Sequence, residues 1–256
     1  MRTAGIDIGS ITAKAAVMED GMILGSRIIF TGYNTDLAGR KVFEELIKEL
    51  GIETASIGKI VSTGYGRSSV KFARKTATEI ICHAAGALLL DGRVKTVIDI
   101  GGQDSKAISI DGTGKIKNFV MNDKCAAGTG RFLEVMARAL GSDLDEFGSL
   151  SLKADRPSRI SSLCTVFAES EVISLISKGE TRENIIAGIH ESIAARVSAM
   201  AARIGIVSPV MLTGGVARNI GVVKALEAKL GIPLVVSQYA QVMGAIGAAV
   251  IASRAV

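Results

Sequence analysis

The phrase Ile6-Asp7-Ile8-Gly9 is followed by Lys14-Ala15, and Ile98-Asp99-Ile100-Gly101 is followed at the same distance by Lys106-Ala107. In each copy an apolar, β-branched strand ends on an acidic residue and a glycine, where the chain turns tightly into a second strand. A glycine there lets backbone N–H groups approach an anion with no Cβ in the way. Asp7 and Asp99 stand at the strand ends, where carboxylates hold a hydrated Mg²⁺ or orient a water. Gly9, Ser10, Ile11, Thr12, Ala13 and Lys14 form the first loop, and Gly101, Gly102, Gln103 and Asp104 the second. Together they offer amide, hydroxyl and ammonium groups to a phosphate tail, with Asp7, Asp99, Gln103 and Asp104 as candidate catalytic groups. A single Asp-x-Gly marks only an ordinary turn. Two copies in register read as a nucleotide clamp.

A chain of 256 residues holds one large domain or two lobes with ample core. Twenty-nine glycines against three prolines, with 4% aromatic residues and no Trp, suit an α/β protein with many tight strand-to-helix turns. The net charge of +5 is spread along the chain without a basic stripe interleaved with aromatics, which argues against nucleic acid as a partner. No uninterrupted apolar run of about 18 residues is present, and the N-terminus enters a strand without a signal-peptide pattern. The expectation is a soluble, cytoplasmic protein with no membrane partner. Three cysteines point to free thiols or metal ligands rather than a disulfide framework.

Strand patterns cover Thr3–Ile8, Ala13–Met18, Met22–Phe30, Lys59–Thr63, Thr96–Ile100, Ala107–Ile110, Lys115–Met121, Val210–Leu212 and Leu234–Val236. Helical spacing covers Leu37–Leu50, Glu79–Leu90, Gly130–Leu140, Phe167–Ser177 and Thr181–Ile204, with a further helix from near Asn219 and a small-residue terminal one. The restart at Thr96 predicts two half-similar lobes, 1–92 with 238–256, and 93–237. His190 falls off the apolar stripe of its helix and is expected in solvent. Thr213-Gly214-Gly215-Val216 makes a strand-to-helix turn whose glycines let a flat ring lie close to the backbone.

Asp7-Ile8-Gly9, Asp99-Ile100-Gly101-Gly102, Thr213-Gly214-Gly215 and Gly244-Ala245-Ile246-Gly247-Ala248 follow the order of the phosphate-one, phosphate-two, adenosine and connecting motifs of the actin-like ATPase superfamily, which the chain resembles over nearly its whole length. The resemblance implies an α/β fold of two ribonuclease-H-like lobes with ATP or ADP and Mg²⁺ in a cleft between them. It also implies adenosine contacts from Gly214, Gly215, Val216 and Asn219, a nucleotide contact from Gln241, and Thr129 reaching phosphate. Ile11 stands where related loops often carry a threonine; Thr12 is the neighbouring hydroxyl.

A longer match is specific to fewer proteins. Asn122-Asp123-Lys124-Cys125-Ala126-Ala127-Gly128-Thr129-Gly130-Arg131-Phe132 and Cys164-Thr165-Val166-Phe167-Ala168-Glu169-Ser170-Glu171 are similar to the cysteine motifs of the activators, or component A, of 2-hydroxyacyl-CoA dehydratases, a family shared with benzoyl-CoA reductase ATPase subunits. That resemblance implies Cys125 and Cys164 as ligands of one 4Fe-4S cluster at a homodimer interface. It further implies a ferredoxin or flavodoxin as electron donor and a dehydratase component as acceptor. A cluster takes four thiolates, so a two-fold axis through it supplies the second pair. Each cysteine precedes a predicted helix, whose orphan N–H groups and dipole favour anionic sulfur. Cys82, inside Glu79–Leu90, reads as a small buried hydrophobe, and no C-x-x-C spacing marks a zinc site.

The expected function is an ATP-dependent iron–sulfur electron-transfer activator. Its rivals are an aryl-CoA reductase ATPase subunit, or a small-molecule kinase using Asp99 or Asp104 as base. An assembly or chaperone-like ATPase is the third.

Overall fold

A computed structural model describes residues 1–161 and 164–254. Two compact units divide the chain: Met1–Val97 with Ile110–Lys117 and Gln238–Val256, and Ile98–Ser109 with Asn118–Ser237.

In the first unit β1 (Arg2–Ile8), β2 (Thr12–Glu19) and β3 (Met22–Phe30) form an antiparallel meander. β4 (Ile57–Thr63) pairs in parallel with β1, and the two-residue β5 (Lys75–Thr76) with β4, giving the order β3-β2-β1-β4-β5. β1 is buried from Thr3 to Ile8, so both of its faces need cover. Ala4, Ile6 and Ile8 share one core with Val42, Phe43 and Leu46 of α1 (Thr35–Leu50). On the other side Ala16 and Met18 pack with Ala85 of α2 (Glu79–Leu90) and with Ala245, Ile246 and Ala249 of α8 (Met243–Arg254). Asn34 caps α1 by accepting the Leu37 N–H at 3.0 Å.

A second sheet, lying mostly in the second unit, repeats this layout with β6 (Thr96–Ile100), β7 (Ser105–Ile110), β8 (Ile116–Asn122), β9 (Val210–Thr213) and β10 (Leu234–Val236), in the order β10-β9-β6-β7-β8. A meander of three strands, with the fourth seated beside the first, thus occurs twice. This is the α/β, two-sheet architecture that the motifs predicted. The second unit adds α3 (Gly130–Ala139), α4 (Phe147–Ser151), α5 (Thr165–Ser177), α6 (Arg182–Ala202) and α7 (Ile220–Leu230). Neither β5 nor α4 was marked by the sequence pattern, because two strand residues or five helical ones carry no readable period.

The expectation that His190 is solvated is wrong: it is 1% exposed. α6 packs against α4, α5 and α7 and buries more than one face, so a residue off its main stripe still lies inside. By length and composition α6 could span a membrane, yet 56% of its most apolar window is buried within the fold, as core helices of soluble proteins are.

Candidate functional site

The two hairpins have the same internal geometry. In the first, Asp7 faces Lys14 across the β1–β2 ladder, and the Lys14 ammonium lies 3.2 Å from Asp7 Oδ2. The Gly9 N–H donates to Thr12 O at 3.0 Å and closes the loop; Thr31 steadies it from β3's end by donating its hydroxyl to Gly9 O at 2.8 Å. Ser10, Ile11, Thr12 and Lys14 are half-buried at the loop, whereas Ala13 is a core residue. Ala13 therefore offers only its backbone to a ligand.

In the second hairpin the Gly101 N–H donates to Asp104 O at 2.9 Å, the counterpart of the Gly9 bond. Lys106 reaches Asp99 Oδ2 at 3.2 Å, the counterpart of the Lys14 pair, and also Asp104 Oδ2 at 2.8 Å. Here the lysine is 2% exposed and held by two carboxylates. Asp99 Oδ1 also accepts the Thr213 hydroxyl at 3.1 Å. Gln103 is exposed at the loop tip.

Each aspartate has a glycine packed over it. Gly214 has φ +89, and a Cβ there would run into Ile100 O and lie 2.8 Å from Asp99 Oδ1. Gly64 has φ +90, and a Cβ there would run into Asp7 Oδ1 and Ile8 O. Only glycine tolerates both the left-handed backbone and this approach. Gly215 is exposed and Val216 buried in the turn that follows Gly214, and Asn219 caps α7 by accepting the Val222 N–H at 3.1 Å. Gln241 stands in the first unit, half-buried in the single turn before α8.

The Cys125 loop is tied to the second hairpin. Asn122, at the end of β8, accepts the Cys125 N–H at 3.3 Å and donates its amide to Cys125 O at 2.8 Å. Thr129 is fully buried, with its hydroxyl donated back to Ala126 O. The next two N–H groups, which open α3, leave the helix for the loop of the second hairpin: Gly130 donates to Gly101 O and Arg131 to Gly102 O, each at 2.8 Å. Cys164 is exposed and is the N-cap residue of α5, where its side chain makes no capping bond. Glu171 of α5 accepts from the Ser161 N–H at 2.8 Å and the Ser161 hydroxyl at 2.6 Å. Among the described residues no group of three or more His, Cys, Asp or Glu is set to hold a metal ion. Two thiols on two loops fit half of a four-thiolate shell. Cys82 is buried inside α2 as expected; burial pushes its thiol up to about 12, with the Thr63 hydroxyl beside it pulling the other way.

A model of the BadF/BadG/BcrA/BcrD ATPase family matches residues 4–252. The chain belongs to the BadF/BadG/BcrA/BcrD ATPase family. It is 46% identical over 256 residues to the activator of lactoyl-CoA dehydratase from Anaerotignum propionicum, covering 100% of this chain and 98% of that one. Component A of the (R)-2-hydroxyglutaryl-CoA dehydratase of Acidaminococcus fermentans superposes with a TM-score of 0.96 at 45% identity, covering 99% of this chain and 98% of that one. The activator of the 2-hydroxyisocaproyl-CoA dehydratase from Clostridium difficile, solved with bound ADPNP, gives 0.95 at 45% identity, covering 98% and 94%.

Three features of this family member escaped the sequence reading. Thr63-Gly64 closes β4 over Asp7 as Thr213-Gly214 closes β9 over Asp99. Its signal was present, since Val61-Ser62-Thr63-Gly64 and Met211-Leu212-Thr213-Gly214 are both short strands ending on Thr-Gly. Asn122 and Glu171 lay inside the cysteine motifs, but their bonds join positions that pattern alone does not pair.

Proposed function

We propose that this ATPase is the activator of a 2-hydroxyacyl-CoA dehydratase, a homodimer that uses ATP to deliver one low-potential electron to the dehydratase component. The observation that carries the reading is the pair of bonds from Gly130 and Arg131 to Gly101 and Gly102. They make the helix that follows Cys125 a direct extension of the second phosphate loop. A phosphate drawn to the N–H groups of that loop shifts two carbonyls on which α3 hangs, so nucleotide state and the cysteine loop share one hydrogen-bonded unit. The names of the relatives, at 45–46% identity over almost the whole chain, support the same reading.

In this reading both hairpins bind the phosphates of ATP, with Asp7 and Asp99 serving a hydrated Mg²⁺ and the attacking water and Gln103 and Asp104 beside them. Gly214, Gly215, Val216 and Asn219 take the adenosine side, and Gln241 completes the nucleotide contacts. Cys125 and Cys164 hold a 4Fe-4S cluster together with the same pair from a second copy. When bound, the cluster supplies a one-electron store loaded by ferredoxin or flavodoxin. The chain's own share is to present the two thiols on loops and to aim the N–H groups of α5 at Cys164. Val166, Phe167, Ile173 and Ile176 of α5 are 43–66% exposed, an apolar surface beside Cys164 suited to burial against the second copy. The protein then works in the cytoplasm, where its redox partners are.

Anaerobic purification with iron and sulfide analysis and EPR of the reduced protein is the test. About four irons per dimer and a reduced-cluster signal are expected. Cys125→Ala and Cys164→Ala should each abolish both while sparing ATP binding, and Cys82→Ala should spare everything. An iron-free dimer that binds ATP normally sinks the electron-transfer reading.

A further inference from the structure

His190, 1% exposed, is a buried titratable side chain that neither hairpin nor cysteine loop uses. It projects from α6 into the junction of α4, α6 and α7, with its ring 6.1 Å from that of Phe147 in an edge-on arrangement. Its Nε2 lies 3.2 Å from Asn219 Nδ2. An amide nitrogen only donates, so Nε2 must be the acceptor and the proton sits on Nδ1. Nδ1 itself has no hydrogen-bond partner among the described residues. Desolvation holds the imidazole neutral, down to about 3.

Asn219 is thereby gripped at both ends of its amide, with Oδ1 capping α7 through Val222 and Nδ2 held by His190. The junction is built to this shape. A Cβ on Gly148 would come 3.0 Å from Asn219 Oδ1, and a Cβ on Gly221 would collide with Ser151 Oγ and His190 Nδ1. Helix capping alone does not call for such an arrangement. Asn34 caps α1 through the same Oδ1 bond, on the surface and with no partner for its amide nitrogen among the described residues. Burying an imidazole with one nitrogen unpaired is costly, and such sites persist where a fixed geometry is needed.

We propose that His190 is a positioning residue for the nucleoside end of the ATP site. As a neutral acceptor it locks Asn219, and through Asn219 the turn from Gly214 to α7, into the shape that receives a purine nucleoside rather than a bare polyphosphate. This inference rests on the nucleotide reading of that turn.

The test compares affinity for ATP and for inorganic tripolyphosphate, measured calorimetrically on the full-length protein with Mg²⁺. In His190→Leu, ATP binding should weaken about tenfold, the worth of roughly one hydrogen bond. Tripolyphosphate binding should stay unchanged, and kcat for ATP hydrolysis at saturation should stay within about twofold while KM rises. His190→Gln, which keeps an acceptor, should restore most of the loss. If the leucine variant does not fold, His190→Asn, too short to reach Asn219, takes its place. Asn219→Ala/His190→Leu should bind ATP no more weakly than Asn219→Ala alone. A variant that loses both ligands equally, or keeps its full preference for ATP, overturns the inference. Wild-type protein that holds ATP no better than tripolyphosphate overturns the nucleotide reading of the turn and this inference with it.

Discussion

The two hairpins share a ladder pair, a loop-closing bond and an overhead glycine, yet they treat their lysines and aspartates differently. Lys14 has one carboxylate partner and is 14% exposed; Lys106 has two and is sealed in. Asp99 is fixed by both Lys106 and the Thr213 hydroxyl. Among the described residues Asp7 is fixed by Lys14 alone, since the Thr63 hydroxyl makes no hydrogen bond. A duplicated frame has thus been specialised. The second hairpin's charges hold its own shape, whereas the first leaves its lysine partly exposed. A lysine 2% exposed between two carboxylates is a rigid arrangement, since it cannot re-pair without leaving a buried charge unmatched.

The largest expected break in this comparison is Lys106→Met. It leaves buried Asp99 and half-buried Asp104 without their cation and should cost about 3–5 kcal/mol, read as a shift in the urea midpoint. Lys14→Met, which orphans one carboxylate rather than two beside a partly exposed lysine, should cost less, about 1–3 kcal/mol, and also weaken ATP affinity. Equal stability losses from the two would erase the distinction.

Next come Gly64→Ala and Gly214→Ala, which probe what the hairpins share. Each forces a left-handed residue against a backbone carbonyl and should cost about 2–4 kcal/mol. A loss at Gly214 with none at Gly64 would show that the frame is not truly repeated.

The smallest effect per step is in pH, and it separates the units by sign. His190, in the second unit, titrates near 6.5 unfolded but at about 3 folded. The unfolded chain binds the extra proton between these values, so stability falls as pH drops below 6.5, by up to about 1.4 kcal/mol per unit. Cys82, in the first unit, is raised to about 12. The unfolded thiol ionises from about pH 9 while the folded one does not, so stability falls as pH rises through 9–12, with the same limiting slope. Urea midpoints from pH 4 to 11 should show His190→Leu lacking its part of the acid limb and Cys82→Ala its part of the alkaline one.

Local pattern was enough for much of this protein. α2, β6 and β10 fall where their apolar periods ended, and most other elements begin or end within a few residues of prediction, because strong strand and helix periods coincide with glycine and Asx punctuation. The cysteine motifs and the Asp-x-Gly repeat were likewise legible as strings. Thr63-Gly64 carried the same Thr-Gly ending as Thr213-Gly214, but its meaning emerged only with β4 beside β1 as β9 lies beside β6. His190 was misread because a stripe along α6 describes contact with one neighbour, and this helix packs against several.

By itself, then, the sequence determined the repeated hairpins, the family, and which two cysteines sit on loops, since all of these are short-range and carried by glycine, aspartate and strand-forming residues in fixed spacing. Which lysine is sealed, which aspartate is locked, that α3 hangs from Gly101 and Gly102, and that His190 grips Asn219 were decided only by tertiary structure. Burial and hydrogen-bond partners depend on which distant segments arrive at a site, and no local period records that.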